Sequence, residues 1–271
     1  MSFKQIISIH GVPRSGTTWL GQILDSSPSV KYKFQPLFSY AFKDRINLQS
    51  TKQDILDFYH ELYNSSDEFL DQSKQKETGI HPTFTEKANN PECLVTKMVR
   101  YHYIIPHLLA DVDDIKFLFI VRHPCGSLKS WKKAPREFNS QKWDFQREWE
   151  YGQSKNGFRP EEYYGYHKWK EATKLFLTMK QLYGERVMLI KYEDLVENPI
   201  EKSKEIYDFC NLDLSNQTKN FIEKSTKITQ EDVYSVFKGQ KDVDDWKNKL
   251  DGNIVNKVYQ DLKNTELEQF L

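Results

Sequence analysis

Apolar runs at residues 6–9, 93–99, 116–121 and 187–191 set the rhythm of this chain. The clearest is KFLFIV at 116–121. It is continuous rather than alternating, the pattern of a strand covered by helices on both faces of a parallel sheet. Helical spacing separates the runs. A segment of helical character opens at Thr17 and stops at Asp25-Ser26-Ser27-Pro28. Ile55, Leu56, Tyr59 and Leu62 mark an amphipathic stretch within a polar segment, 53–75, and Trp169, Ala172, Phe176, Met179 and Tyr183 mark another. Asn198-Pro199 followed by Glu201 predicts a helix start with a side-chain cap, a proline in the first turn and an acid behind it. That helix is expected to run to about Cys210, and a final one to begin near Asn253. The aromatic stretch Val30 to Phe42, broken by Pro36, reads as a loop and short helix, and 76–92 reads as a surface connection. Strands alternating with helices predict an α/β fold of three layers, a central parallel sheet flanked by helices, in one domain over residues 1–271. Residues 134–165, rich in Tyr, Trp, Arg and Gly without periodicity, are expected to form an excursion or lid rather than a second domain.

Composition narrows the function classes. With 39 basic and 39 acidic residues the chain is balanced, so bulk charge predicts no nucleic-acid or membrane-surface partner, while a local basic pocket stays open. Cys93, Cys125 and Cys210 are odd in number and widely spaced, which supports neither a disulfide framework nor a zinc site. No stretch approaches the length of a membrane span. The first strand starts close to Met1 and leaves no room for a signal peptide, so the expected location is cytoplasmic.

The chemistry concentrates in residues 5–19, QIISIHGVPRSGTTW. A strand, a glycine loop and a helix start aim backbone N–H groups and a positive helix end at an anion. Gly11 and Gly16 have the spacing of a phosphate-binding loop, but Thr17 stands where a nucleotide hydrolase carries its lysine, and the cation sits within the loop at Arg14. The strand 116–121 ends in Arg122, where a metal-using enzyme of this layout would tend to place a carboxylate. Two separate anion sites with no metal between them are therefore expected.

PRSGTTW at 13–19 resembles the 5′-phosphosulfate loop of sulfotransferases that use 3′-phosphoadenylyl sulfate (PAPS), and Arg122 with Ser130 eight residues on resembles their 3′-phosphate motif. Lys191-Tyr192-Glu193-Asp194-Leu195 and Phe237-Lys238-Gly239 resemble further segments of the same family, in order, so the likeness spans residues 5 to about 250. The resemblance implies a metal-free transferase with PAPS as cofactor and PAP as product. It implies that Ser15, Gly16, Thr17 and Thr18 hold the 5′-phosphate, with Arg14 against the bridging oxygen and sulfonate. Arg122, Ser130 and Lys238, followed by Gly239, would take the 3′-phosphate, and Trp19 and Tyr192 the adenine side.

Residues 27–37 resemble a carbohydrate-sulfotransferase segment and point to a carbohydrate hydroxyl on a glycan or small-molecule acceptor, but Gln35 stands where such relatives have a glutamate. His102, beyond the 93–99 strand, is then the expected general base, with His81 behind it. Lys97 and Arg100 read equally as functional groups or as strand-end charges, and Trp131, Trp143, Trp149 and Trp169 as core packing or sugar-stacking rings. Two other functions remain open: a PAP- or PAPS-binding sensor or scaffold, which Gln35 favours, and a kinase, against which Thr17 and Arg122 argue.

Overall fold

The computed structural model describes residues 3–239 and 242–271. Five parallel strands form one sheet in the order β2-β3-β1-β4-β5: β1 Gln5–His10, β2 Val30–Phe34, β3 Cys93–Met98, β4 Ile115–Val121 and β5 Val187–Lys191. The sheet is buried on both faces, which explains the uninterrupted apolar runs. Ile7, Ile9, Val95, Leu118 and Ile120 pack against Leu20, Ile23 and Leu24 of the first helix, Thr17–Asp25. Ile6, Leu94, Phe117 and Phe119 face the helices Lys52–Asn64, Ile105–Asp111 and Tyr166–Leu182 on the other side. Each aliphatic side chain so buried contributes about 1.5–3 kcal/mol.

β2 departs from the loop expected there. Its residues VKYKF alternate, with Val30 and Tyr32 packed toward the first helix, and it lies at the sheet edge against β3. The buried Lys33 ammonium is paid for by Asp71 at 2.7 Å and the Ser65 carbonyl at 2.7 Å. The predicted 53–75 helix is two, Lys52–Asn64 and Ser73–Glu77, the first opened by a capping box between Thr51 and Asp54. Pro199 does open a helix, Pro199–Phe209, but Asn198 supplies no side-chain cap; its backbone N–H closes the preceding helix, Tyr192–Glu197, on the Asp194 carbonyl at 3.0 Å. The helix Asn216–Lys227, capped by Ser215, has no counterpart in the sequence reading. Residues 134–165 send Phe138, Phe145, Trp149, Tyr163 and Tyr164 into the main core; Trp131, Trp149 and Trp169 are core residues.

β1 is central. The chain moves outward from it to β2 and β3 on one side and to β4 and β5 on the other, so the loops after β1 and β4 adjoin at the carboxyl ends of the strands. Such a switch point is where open α/β sheets bind ligands.

Beneath that edge lies a buried polar string. Thr96 Oγ1 and Ser8 Oγ are 3.1 Å apart, Ser8 Oγ and His10 Nε2 2.9 Å, and His10 Nδ1 and His102 Nδ1 3.1 Å. Burial pushes the His10 imidazole down from 6.5 to about 3, and His102 is also held well below its ordinary value. Above pH 6.5 this carries no penalty; as pH falls through 6.5 the unfolded chain takes up protons that the folded protein refuses. Stability is therefore expected to fall on acidification by about 1 kcal/mol per pH unit for each such histidine. Thermal denaturation across pH 4–7 should show a shallower acid limb for His10→Gln than for wild type; parallel curves would contradict the assignment.

Candidate active site

The loop after β1 is built by two glycines. A Cβ on Gly11 would lie 2.6 Å from the Ile120 carbonyl oxygen, so β1 and β4 approach as they do only with glycine there. Gly16 has φ +95°, and a Cβ on it would lie 2.4 Å from the Tyr192 ring. Gly16 caps the first helix without any side-chain hydrogen bond, which leaves the first-turn amides directed at the cavity beside it. Ser15 does not take part as expected. Both its N–H (3.2 Å) and its hydroxyl (2.8 Å) are spent on the Val12 carbonyl, and it closes the loop rather than lining the cavity.

That cavity has a volume of about 1400 Å³. It gathers Arg14, Gly16, Thr17, Thr18, Trp19, Arg122, Ser130, Tyr192, Lys238 and Gly239 from five separate stretches of chain. Arg14, itself at φ +71°, is held at all three guanidinium nitrogens: Nε donates to Ser130 Oγ at 3.2 Å, Nη1 pairs with Glu137 Oε1 at 3.3 Å and Nη2 donates to the Val233 carbonyl at 2.9 Å. Arg122 lies over the Tyr192 ring at 4.6 Å, and its Nη1 donates to the Arg14 carbonyl at 3.2 Å. Its Nε is buried with no partner among the described residues, and Gly126 leaves the room for it, since a Cβ there would come within 2.9 Å. The two arginines expected to bind separate anionic groups thus line one cavity and are joined through the Arg14 backbone.

Trp19 Nε1 donates to Ser225 Oγ at 2.9 Å, and the Lys238 N–H to the Ser225 carbonyl at 3.2 Å, so the segment around Lys238 is fastened to the helix Asn216–Lys227. The Lys238 ammonium also donates to the Asp232 carbonyl. Gly239 follows at φ +61°. Tyr192 lies beneath Gly16 and Arg122 and supports both. Uncapped amides, an arginine nitrogen without a partner and glycines that keep space open fit a nucleotide with two anionic groups. Among the described residues no cluster of His, Cys, Asp or Glu is placed to hold a metal ion.

His102 is not at this site. It is 0% exposed, bonded to His10 and boxed by the rings of Tyr163 (4.4 Å) and Phe176 (5.3 Å), so no acceptor reaches it. Its role is in the core. His81 does line the cavity; burial pushes its imidazole down to about 4, and its Nδ1 lacks a partner among the described residues. Glu137, which the sequence reading passed over, also lines the cavity, one carboxylate oxygen on Arg14 and the other buried without a partner among the described residues. It lies in an irregular stretch with no motif, and only the fold brings it to Arg14. Gln35 accepts from Arg100 Nη1 at 2.8 Å.

Comparison with known proteins agrees with this geometry. A family model described as Sulfotransferase family matches residues 7–216. Carbohydrate sulfotransferase 1 of Danio rerio is 23% identical, over 94% of this chain and 75% of its own length. Carbohydrate sulfotransferase 3 of Mus musculus is 40% identical over 55 residues, 20% of this chain and 12% of that protein, so the matched stretch is a small part of it. Among solved structures, a mouse sulfotransferase complexed with PAP superposes with a TM-score of 0.56 at 16% identity, covering 99% of this chain and 88% of that one. Retinol dehydratase in complex with androsterone and PAP gives 0.57 at 15%, covering 98% and 82%. These likenesses bear on the fold.

Gly16→Ala is expected to lower stability by about 1–3 kcal/mol, the cost of a strained backbone and a displaced Tyr192. Gly252→Ala, at a position with nothing near the added Cβ, is the control and should be neutral or slightly stabilising. Denaturant melts check both, and equal effects would contradict the role given to Gly16.

Proposed function

The chain belongs to the sulfotransferase family, and on that footing we propose that it transfers a sulfonate from PAPS to a hydroxyl of a carbohydrate without a metal ion. The observation that carries the reading is the junction of Arg14, Ser130 and Arg122 at the foot of an uncapped helix, where the Arg14 guanidinium bonds the Ser130 hydroxyl and the Arg122 guanidinium bonds the Arg14 backbone carbonyl. PAPS, when bound, supplies the sulfonate: the acceptor oxygen bonds to sulfur as the bond from sulfur to the phosphate oxygen breaks, and PAP leaves with that electron pair.

The first-turn amides from Gly16 to Thr18, with the hydroxyls of Thr17 and Thr18, hold the 5′-phosphate. Arg122, Ser130 and Lys238 hold the 3′-phosphate. Arg14 exchanges Ser130 and Glu137 for the leaving oxygen and the sulfonate, where charge develops; one such donor is worth about 3–4 kcal/mol. Glu137, beside Arg14 with one oxygen unsatisfied, takes the proton of the acceptor hydroxyl, the part that neither Gln35 nor His102 can play. A carbohydrate acceptor is supported by the carbohydrate sulfotransferases among the relatives.

Calorimetric titration with PAP in the presence of a chelator should give binding that weakens about 30-fold, about 2 kcal/mol, in Arg122→Ala. Indifference to PAP, or a preference for ATP with Mg²⁺, would contradict the proposal. In turnover assays, Glu137→Gln should lower kcat by about 10²- to 10⁴-fold while PAP still binds. An undiminished kcat would remove Glu137 as the base.

A further inference from the structure

Just past β2 the chain adopts a conformation that costs energy. Gln35 stands at φ +43° and ψ 56°, the left-handed region that residues with a Cβ rarely occupy. It is fastened there from three sides. Its N–H donates to the Lys97 carbonyl at 2.8 Å, its own carbonyl accepts from the Phe38 N–H at 3.0 Å, and its side-chain Oε1 accepts from Arg100 Nη1 at 2.8 Å. Gln35 lines the same cavity as Arg14 and Glu137. Strain held in this way at the wall of a cavity points to a task for the side chain.

The orientation of that side chain is fixed by chemistry. A guanidinium only donates, so the amide oxygen has to face Arg100 and the amide nitrogen has to face away from it. Arg100 is itself held: its Nε pairs with Glu162 Oε2 at 2.9 Å, and its guanidinium lies 3.9 Å from the Phe38 ring centroid. The Gln35 amide nitrogen has no hydrogen-bond partner among the described residues and is not one of the polar atoms closed off from solvent, so it presents its N–H groups to the cavity. Glu162 already supplies Arg100 with a counter-charge, and position 35 need not carry one. A carboxylate at 35 would rest on the same guanidinium, which keeps a carboxylate ionised and weakens it as a base. The neutral amide gives up proton chemistry and keeps a donor in a fixed direction.

We propose that Gln35 is a specificity-determining residue: its amide N–H donates to an oxygen on the carbon next to the one that bears the accepting hydroxyl. This rests on the sulfotransferase reading and adds to it the residue that aims the acceptor. The reacting oxygen needs a lone pair for sulfur and gives its proton to Glu137, so a donor on that atom would oppose the attack. A donor on the neighbouring oxygen fixes the direction of the hydroxyl without drawing on it. An acceptor without that neighbour leaves the amide, on a residue only 8% exposed, with nothing to bond, and polar sites reject such mismatches.

The test follows sulfonate transfer from PAPS to a panel of neutral methyl glycosides. The best of them is then compared with its deoxy analogues, each lacking one hydroxyl beside the accepting one. Wild type is expected to lose about 10-fold in kcat/KM with one analogue. Gln35→Met, of similar length but without the N–H, should lose a similar factor with the parent glycoside and nothing further with that analogue. Gln35→Glu, whose ionised side chain only accepts, should be as slow as Gln35→Met, with no rise in kcat between about pH 6 and 9. Calorimetry with PAP reports that each variant is folded. A gain of kcat in Gln35→Glu would make position 35 a base, and a wild-type preference for the parent that survives unchanged in Gln35→Met would reduce Gln35 to a brace; either overturns the inference. If wild type binds PAP and transfers but discriminates against no analogue, the inference fails alone. If it binds no PAP or transfers to no glycoside, the sulfotransferase reading falls with it.

Discussion

The hydrogen bond from Arg122 to the carbonyl of Arg14 joins two segments of chain that are 108 residues apart, and the rest of the site is arranged around it. It exists because β1 and β4 are neighbours in the sheet, so the loops that leave them share one edge. Gly11 permits the close approach of the strands, Gly16 lets the loop settle on the Tyr192 ring, and that ring in turn carries the Arg122 guanidinium. Gly126 opens the space Arg122 occupies. Each piece is small; together they fix the Arg122 guanidinium on the Arg14 backbone, while the Arg14 guanidinium turns to Ser130, Glu137 and the Val233 carbonyl.

Electrostatics then divides the cavity into two parts. Near the first helix, the cations are satisfied by groups that a nucleotide can replace: a hydroxyl, a carboxylate and backbone carbonyls. Such provisional partners keep Arg14 ordered while its charge stays available. Near the end of β2, burial draws the Lys97 ammonium down against the opposing pull of Glu137. A chain with no net charge thus concentrates positive potential where the proposed chemistry needs it.

Much of this was legible in the sequence, for physical reasons that differ from residue to residue. Arg14, Gly16 and Arg122 belong to local patterns whose spacing reflects backbone geometry, and the structure brings them together. The interior strands announced themselves because helices cover both faces, whereas β2, an edge strand with lysines at alternate positions, looked like loop. Ser15 stood in the right motif, yet its polar groups turn inward to brace the loop. His102 followed a strand at a suggestive distance, but the short helix after β3 turns it into the core against Tyr163 and Phe176. Glu137 had no local signature at all; its contact with Arg14 is a tertiary fact, made by an irregular segment that is anchored through Phe138 and Phe145.

A crystal structure with PAP bound tests the central claim, that the two anion cradles serve one nucleotide, more directly than any rate. The account predicts the 5′-phosphate on the amides of Gly16 to Thr18 and the 3′-phosphate on Arg122 and Ser130, with Arg14 released from Ser130. A nucleotide lying elsewhere, or bound with its phosphates away from Arg122, would contradict it.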